Sequence, residues 1–214
     1  MTEKVKVIVF DFDGTIADTG DAIVRILNRL AQEFGYKPAR QEEIPQLRNL
    51  SSRELVKQSE ISIYKLPFLF RKVKSELRDE IVRLKPVEGI ERVLFELRSQ
   101  GYQLGIITSN NKDNVVAFLE KNNLQGLFDF IYSGTTLFGK HKVINQLIKQ
   151  DRLVREALVY VGDETRDIEA AKKSQIKMIA VSWGFNSKEV LAAHTPDFLV
   201  NHPKELLEEI KKLT

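Results

Sequence analysis

The chain has 214 residues, 43% of them hydrophobic and 29% charged, a composition that excludes a disordered or fibrous protein. Lys and Arg number 33 against 30 Asp and Glu, a formal charge of +3 with no long block of one sign, so charge gives nucleic acid little support as a partner. Cysteine is absent, which excludes disulfides, thiolate metal sites and cysteine nucleophiles and fits a reducing, cytoplasmic compartment.

Met1-Thr2-Glu3-Lys4-Val5 leads directly into a strand-like segment without an export-signal pattern. No apolar run approaches the ~20 residues that span a bilayer, so no membrane partner is expected. Residues 5–10 form a short apolar run broken only by Lys6 and followed by Asp11-Phe12-Asp13-Gly14-Thr15. This is how a buried parallel strand entering an acidic turn reads.

From residue 17 to residue 84 the periodicity is helical, with no convincing buried strand. Ala22, Ile23, Ile26, Leu27, Leu30 and Phe34 make one apolar stripe, and Leu66, Phe70, Val73, Leu77, Ile81 and Leu84 make another. A shorter helix is expected near residues 51–59. Lys85-Pro86-Val87-Glu88-Gly89 reads as a return linker. Further apolar runs follow at 104–108, 130–133, 158–162, 177–182 and, more weakly, 198–200. Amphipathic segments at 88–100, at 113–122 and around Val143, Leu147 and Ile148 separate them. This alternation predicts an α/β fold with a doubly wound parallel sheet. The expected division is an α/β core over 1–16 and 85–214, with a small helical cap over 17–84 inserted after the first strand.

Polar clusters stand at the predicted carboxyl ends of four strands, where open α/β sheets bind ligands. They are Asp11 and Asp13; Thr108-Ser109-Asn110; Gly139-Lys140; and Gly162-Asp163-Glu164-Thr165-Arg166-Asp167. Each alone has a plain structural explanation: an acidic turn, a helix cap at Thr108 or Asp163, a solvated lysine. Four such clusters in sequence make coincidence a poor account.

Asp-Phe-Asp-Gly-Thr, then a strand ending in Thr108, then Lys140, then Gly-Asp-x-x-x-Asp resembles the haloacid dehalogenase superfamily. All four motifs stand in order, and the resemblance covers nearly the whole chain. The helical insert sits where that family places a cap, and Pro86-Val87-Glu88-Gly89 resembles its return linker. Val181-Ser182-Trp183-Gly184-Phe185 and Thr195-Pro196-Asp197 resemble the C-terminal stretch of phosphoglycolate-phosphatase-like members.

The resemblance implies a Mg²⁺-dependent phosphatase acting on a small phosphorylated metabolite. Asp11 would be the nucleophile that forms an aspartyl-phosphate, and Asp13 the general acid and base. Mg²⁺ would lie among the Asp11 carboxylate, the Asp13 main-chain carbonyl and Asp163, with Asp167 orienting Asp163 or a metal-bound water. Thr108 and Lys140 would bind phosphoryl oxygens, helped by backbone N–H groups around Phe12 and Asn110. Lys142 is the alternative lysine, and Lys140-His141 departs from the family's common Lys-Pro pairing. Arg48, Asn49, Ser51, Ser52 and Arg53 cluster in a break between predicted helices. Arg48 and Arg53 are candidates for substrate recognition, although the cluster lacks the Gly-containing pattern of a phosphoglycolate-phosphatase cap. A sugar phosphomutase uses the same core, and a phosphoacceptor signalling module uses similar groups on a parallel sheet. Monomer and homodimer are both compatible with the sequence.

Overall fold

The computed structural model describes residues 5–136 and 139–213. The six expected strands form one parallel sheet: β1 (Val7–Phe10), β2 (Gln103–Ile107), β3 (Phe130–Tyr132), β4 (Leu158–Gly162), β5 (Lys177–Val181) and β6 (Phe198–Val200). Their order is β3-β2-β1-β4-β5-β6. The chain winds outward from β1 through β2 and β3, then returns to the other edge of β1 with β4. β1 therefore lies at the reversal of strand order, with its carboxyl end facing the crevice this topology opens.

Between β1 and the rest of the sheet the chain is helical. Here lie α1 (Gly20–Phe34), the single turn α2 (Ile44–Leu47), α3 (Ser52–Gln58) and α4 (Leu66–Ile81). α1 ends at Gly35, whose φ of 78° is open to glycine at little cost. α3 starts with a reciprocal cap: Glu54 N–H donates to Ser51 Oγ at 3.3 Å, and Ser51 N–H to Glu54 Oε2 at 2.8 Å. Ile26 and Leu30 of α1 share one buried cluster with Val73 and Leu77 of α4. Ion pairs Arg25–Glu80 (2.9 Å) and Arg29–Glu76 (2.8 Å) join the same two helices on their outer side. The second apolar stripe reaches Leu84, but its helix stops at Ile81. Pro86 disfavours helical geometry at the preceding residue. The returning chain instead runs antiparallel to the outgoing one: Asp18 N–H donates to the Lys85 carbonyl (3.0 Å) and Val87 N–H to the Ile16 carbonyl (2.9 Å).

The remaining helices cover the sheet. They are α5 (Ile90–Ser99), α6 (Lys112–Lys121), α7 (Lys140–Gln150), α8 (Thr165–Ser174), α9 (Lys188–Ala193) and α10 (Pro203–Lys212). The period of two in β1 sends Ile8 and Phe10 to one face and Val7 and Val9 to the other. The first face is covered by α5, α6 and α10, the second by α7, α8 and α9. Burial on both faces accounts for the continuous apolar runs in the sequence.

Candidate active site

The carboxyl ends of β1 and β4 bring Asp11, Asp163 and Asp167 together. Each offers a carboxylate oxygen within 4.8 Å of the others, and all three residues are buried. Lys140, the first residue of α7, is buried with them. Its ammonium lies 2.5 Å from Asp11 Oδ2 and 2.6 Å from Asp167 Oδ1, and 5.6 Å from the centre of the Tyr160 ring. Burial alone would lower the Lys140 pKa, but Asp11 and Asp167 outweigh it and raise it, so the lysine stays charged. Lys142, the alternative, has no such place: it is exposed on the first turn of α7.

Asp163 is held on both oxygens. Oδ1 accepts from Thr15 Oγ at 2.7 Å and Oδ2 from Phe185 N–H at 2.6 Å. Gly14 and Gly184 flank this carboxylate so closely that a Cβ on either would run into it. Gly14 also needs its φ of 74°. Glu164 N–H donates to Asp167 Oδ2 at 3.2 Å, which fixes the turn into α8.

Asp13 sits apart from the three-carboxylate group. Asn110 Nδ2 donates to both its oxygens at 3.0 and 3.1 Å. Burial, and then the charge of Asp11, push its pKa up to about 7. Asp167 is also raised to about 7, chiefly by burial, with Lys140 opposing. Asp163 is raised well above the ordinary range by burial and by Glu164 and Asp11. Such shifts mark a cluster short of positive charge. Asp11 Oδ2 is buried, and the Lys140 ammonium that faces it at 2.5 Å is shared with Asp167. Hard carboxylate oxygens, crowded and under-neutralised, suit a hard divalent cation. The residues present therefore fit a Mg²⁺ ion.

The other residues singled out in the sequence have more local roles. Thr108 is fully buried and its Oγ accepts from Asn110 N–H at 3.0 Å. The Phe12 N–H donates to the neighbouring Asp11 Oδ1 at 2.7 Å. Both N–H groups expected to assist phosphoryl binding are thus engaged within the chain. Arg48 Nη2 donates to the Gly184 carbonyl (2.6 Å) and its Nε to the Phe185 carbonyl (3.2 Å). Arg53 forms an exposed ion pair with Glu169 of α8 at 2.9 Å. Arg48 joins the 44–58 segment to the loop beyond β5 and Arg53 joins it to α8, and neither is placed among the site carboxylates.

That junction includes Asn186, which the sequence reading passed over, and gives Ser52, Glu164 and Arg166 contacts it had not assigned. Asn186 Nδ2 donates to the Leu50 carbonyl at 2.9 Å, while its Oδ1 accepts from Thr165 N–H at 2.9 Å. Ser52 Oγ donates to Glu164 Oε2 at 3.1 Å. Arg166 pairs with Glu164 in a largely buried contact. Burial pushes Glu164 up, but Arg166 overrides it and holds the carboxylate below its ordinary value. Glu164 and Arg166 lie inside Gly-Asp-x-x-x-Asp, and a charged pair at two variable positions was the signal available.

A family model described as haloacid dehalogenase-like hydrolase matches residues 8–181. A phosphoglycolate phosphatase of Synechococcus elongatus is 37% identical over 209 residues, which is 98% of this chain and 99% of that protein. A phosphoglycolate phosphatase of Aquifex aeolicus is 27% identical, covering 95% and 96% of the two chains. The pyrophosphatase PpaX of Bacillus thuringiensis is also 27% identical, covering 95% of each. Among solved structures, a haloacid dehalogenase-like family hydrolase from Streptococcus pneumoniae superposes with a TM-score of 0.78 at 23% identity. It covers 96% of this chain and 98% of that one.

Proposed function

Because this chain belongs to the haloacid dehalogenase-like hydrolases, we propose that it hydrolyses a small phosphate monoester through an aspartyl-phosphate on Asp11, with Mg²⁺. The chain is a phosphatase-type hydrolase similar to phosphoglycolate phosphatases. A phosphomutase on the same core is not favoured, and a signalling module does not account for a family match over 8–181.

The carrying observation is that two carboxylates at the end of one strand have different surroundings. Asp13 is pushed up to about 7 and held by Asn110, so it can carry a proton near neutral pH. Asp11 lies against the charged Lys140, where an anionic nucleophile is stabilised. Titratable pairs whose environments differ in this way mark acid and nucleophile. Asp11 attacks phosphorus while Asp13 gives its proton to the leaving oxygen. Asp13 then takes a proton from the water that hydrolyses the acyl phosphate. Lys140 holds a phosphoryl oxygen as charge redistributes, and Asp167 holds Lys140 in place. Thr108 stands at the end of β2, the strand beside β1. Mg²⁺, bound by Asp11, Asp163 and the Asp13 carbonyl with Asp167 behind them, would offset repulsion between the anionic nucleophile and the anionic substrate.

Residues 17–84 act in this reading as a cap over a core made of 1–16 and 85–214. The paired connections at 16–18 and 85–87 serve as its hinge, and closure excludes bulk water from the acyl phosphate. The test is hydrolysis of an aryl phosphate with Mg²⁺ and after chelation. Activity should disappear with EDTA and return with excess Mg²⁺. Full activity after chelation would remove the metal from the mechanism. No hydrolysis under either condition would remove the phosphatase.

A further inference from the structure

Asn110 is buried, and each of its polar groups has a partner. Its N–H donates to Thr108 Oγ at 3.0 Å and its carbonyl accepts from Gly134 N–H at 2.8 Å. Its Oδ1 accepts from Asn111 N–H at 2.7 Å and from Asn114 Nδ2 at 2.9 Å. A backbone N–H can only donate, so the Asn111 contact settles which end of the Asn110 amide is oxygen. The Nδ2 end is thereby left to Asp13, whose two oxygens it meets at 3.0 and 3.1 Å.

Asn114, the third residue of α6, is buried as well. Its Nδ2 gives its two hydrogens to Asn110 Oδ1 and, at 2.9 Å, to the Lys74 carbonyl of α4. Both partners can only accept, so a single orientation of the Asn114 amide satisfies them, and the reverse would leave buried acceptors unpaired. The last torsion of an asparagine is soft. One donor on Asn110 Oδ1 leaves that amide free to rock; the second, anchored on α4, fixes its plane. We propose that Asn114 is a positioning residue for proton transfer. It clamps the Asn110 amide, which in turn holds the Asp13 carboxyl where it protonates the leaving oxygen as the P–O bond breaks. This rests on the phosphatase reading above. Placement of an acid is worth this much structure because an error of about 1 Å can cost about a hundredfold in rate.

Leaving groups of different basicity read this directly. 4-Nitrophenolate departs without a proton, whereas phenolate gains from one, so a displaced acid penalises phenyl phosphate more. The measured quantity is kcat/KM for 4-nitrophenyl phosphate divided by kcat/KM for phenyl phosphate, with Mg²⁺ present. Asn114→Ala should raise this ratio about tenfold. Asn114→Leu keeps a branched side chain without donors and should do the same; it supplies the comparison where the alanine variant melts below the assay temperature. Asp13→Ala should raise the ratio at least as far. Adding Asn114→Ala to Asp13→Ala should then change the ratio no further, because no acid remains to be misplaced. A merely structural Asn114 would slow both esters in proportion, with or without Asp13, and that result would overturn the positioning role while leaving the phosphatase standing. A ratio that Asp13→Ala itself does not raise would remove Asp13 as the acid and Asn114 with it. A wild type that hydrolyses neither ester would overturn the phosphatase reading and this one together.

Discussion

Asp11 and Asp13 stand two residues apart at the end of β1, yet their contacts differ, as the proposed roles of nucleophile and acid require. Asp11 receives Phe12 N–H on one oxygen and faces Lys140 with the other. Among the described residues Asp13 receives the Asn110 amide alone, and burial, with the charge of Asp11, keeps its proton on to about pH 7. Substitution should separate them. Asp11→Asn should abolish both turnover and the covalent phosphoenzyme. Asp13→Ala should still transfer labelled phosphate to Asp11 but lose roughly 10²–10⁴ in rate, the usual worth of a positioned acid or base. Rapid-quench labelling followed by peptide mapping reads both outcomes. Label on any residue other than Asp11 would reassign the nucleophile.

At the scale of elements, the 44–58 segment is fastened to the core by contacts of unequal strength. Arg48 donates to two carbonyls from a half-buried position, whereas Arg53 pairs with Glu169 in solvent. Arg48→Ala strands the Gly184 and Phe185 carbonyls and should cost about 1–3 kcal/mol. Arg53→Ala should cost distinctly less, because exposed pairs are screened. Thermal melting and amide exchange over 48–52 and 184–187 would rank them, and the reverse order would contradict this account of the junction. The sequence suggested both arginines as substrate ligands, since loop cations beside a break look alike before their partners are known. What was legible depended on the kind of signal. The central strands β1, β2, β4 and β5, buried on both faces, leave clear apolar runs, and the part-buried edge strands β3 and β6 were also readable, β6 more weakly. Asp11, Asp163, Asp167 and Lys140 were named because their motifs stand in the order of the family the chain resembles, and the structure brings these four residues together. Thr15 on Asp163, Asn110 on Asp13 and Asn186 on Leu50 were not readable. Each pairs residues remote in sequence, and no local period records such a contact. Two short amphipathic helices, α9 and α10, also escaped notice, although the Ser187 cap of α9 and Pro203 at the start of α10 are recognised start signals.

For the molecule as a whole, the site is a cost that protons or a metal must meet. Asp13 and Asp167 both sit near 7 in the fold, against an ordinary value of 3.8. Asp163 is displaced in the same direction. Between about pH 4 and 7 the folded chain therefore keeps protons that the unfolded chain has released. Stability associated with these groups is present below pH 4 and is lost as pH rises through 7. Glu43, held down to about 2 by Arg40, acts in the opposite sense but only in acid, outside this window. In EDTA the melting temperature should fall between pH 5 and pH 8. One pKa unit on one group is ~1.4 kcal/mol, or about 3–5 °C at this chain length. In the proposed mechanism Mg²⁺ would supply the missing positive charge and compete with protons for the same oxygens. It should therefore raise the melting temperature more at pH 8 than at pH 5, by mass action on the folded state. Asp13→Asn should flatten part of the slope in EDTA without removing a metal-binding carboxylate. Asp167→Asn should flatten the slope and also reduce the Mg²⁺ increment. Melting curves at four pH values, with and without Mg²⁺, measure all of this. A metal-free chain whose stability rises from pH 5 to pH 8 would mean that the site carboxylates ionise freely, and the charge deficit assigned to them would be wrong.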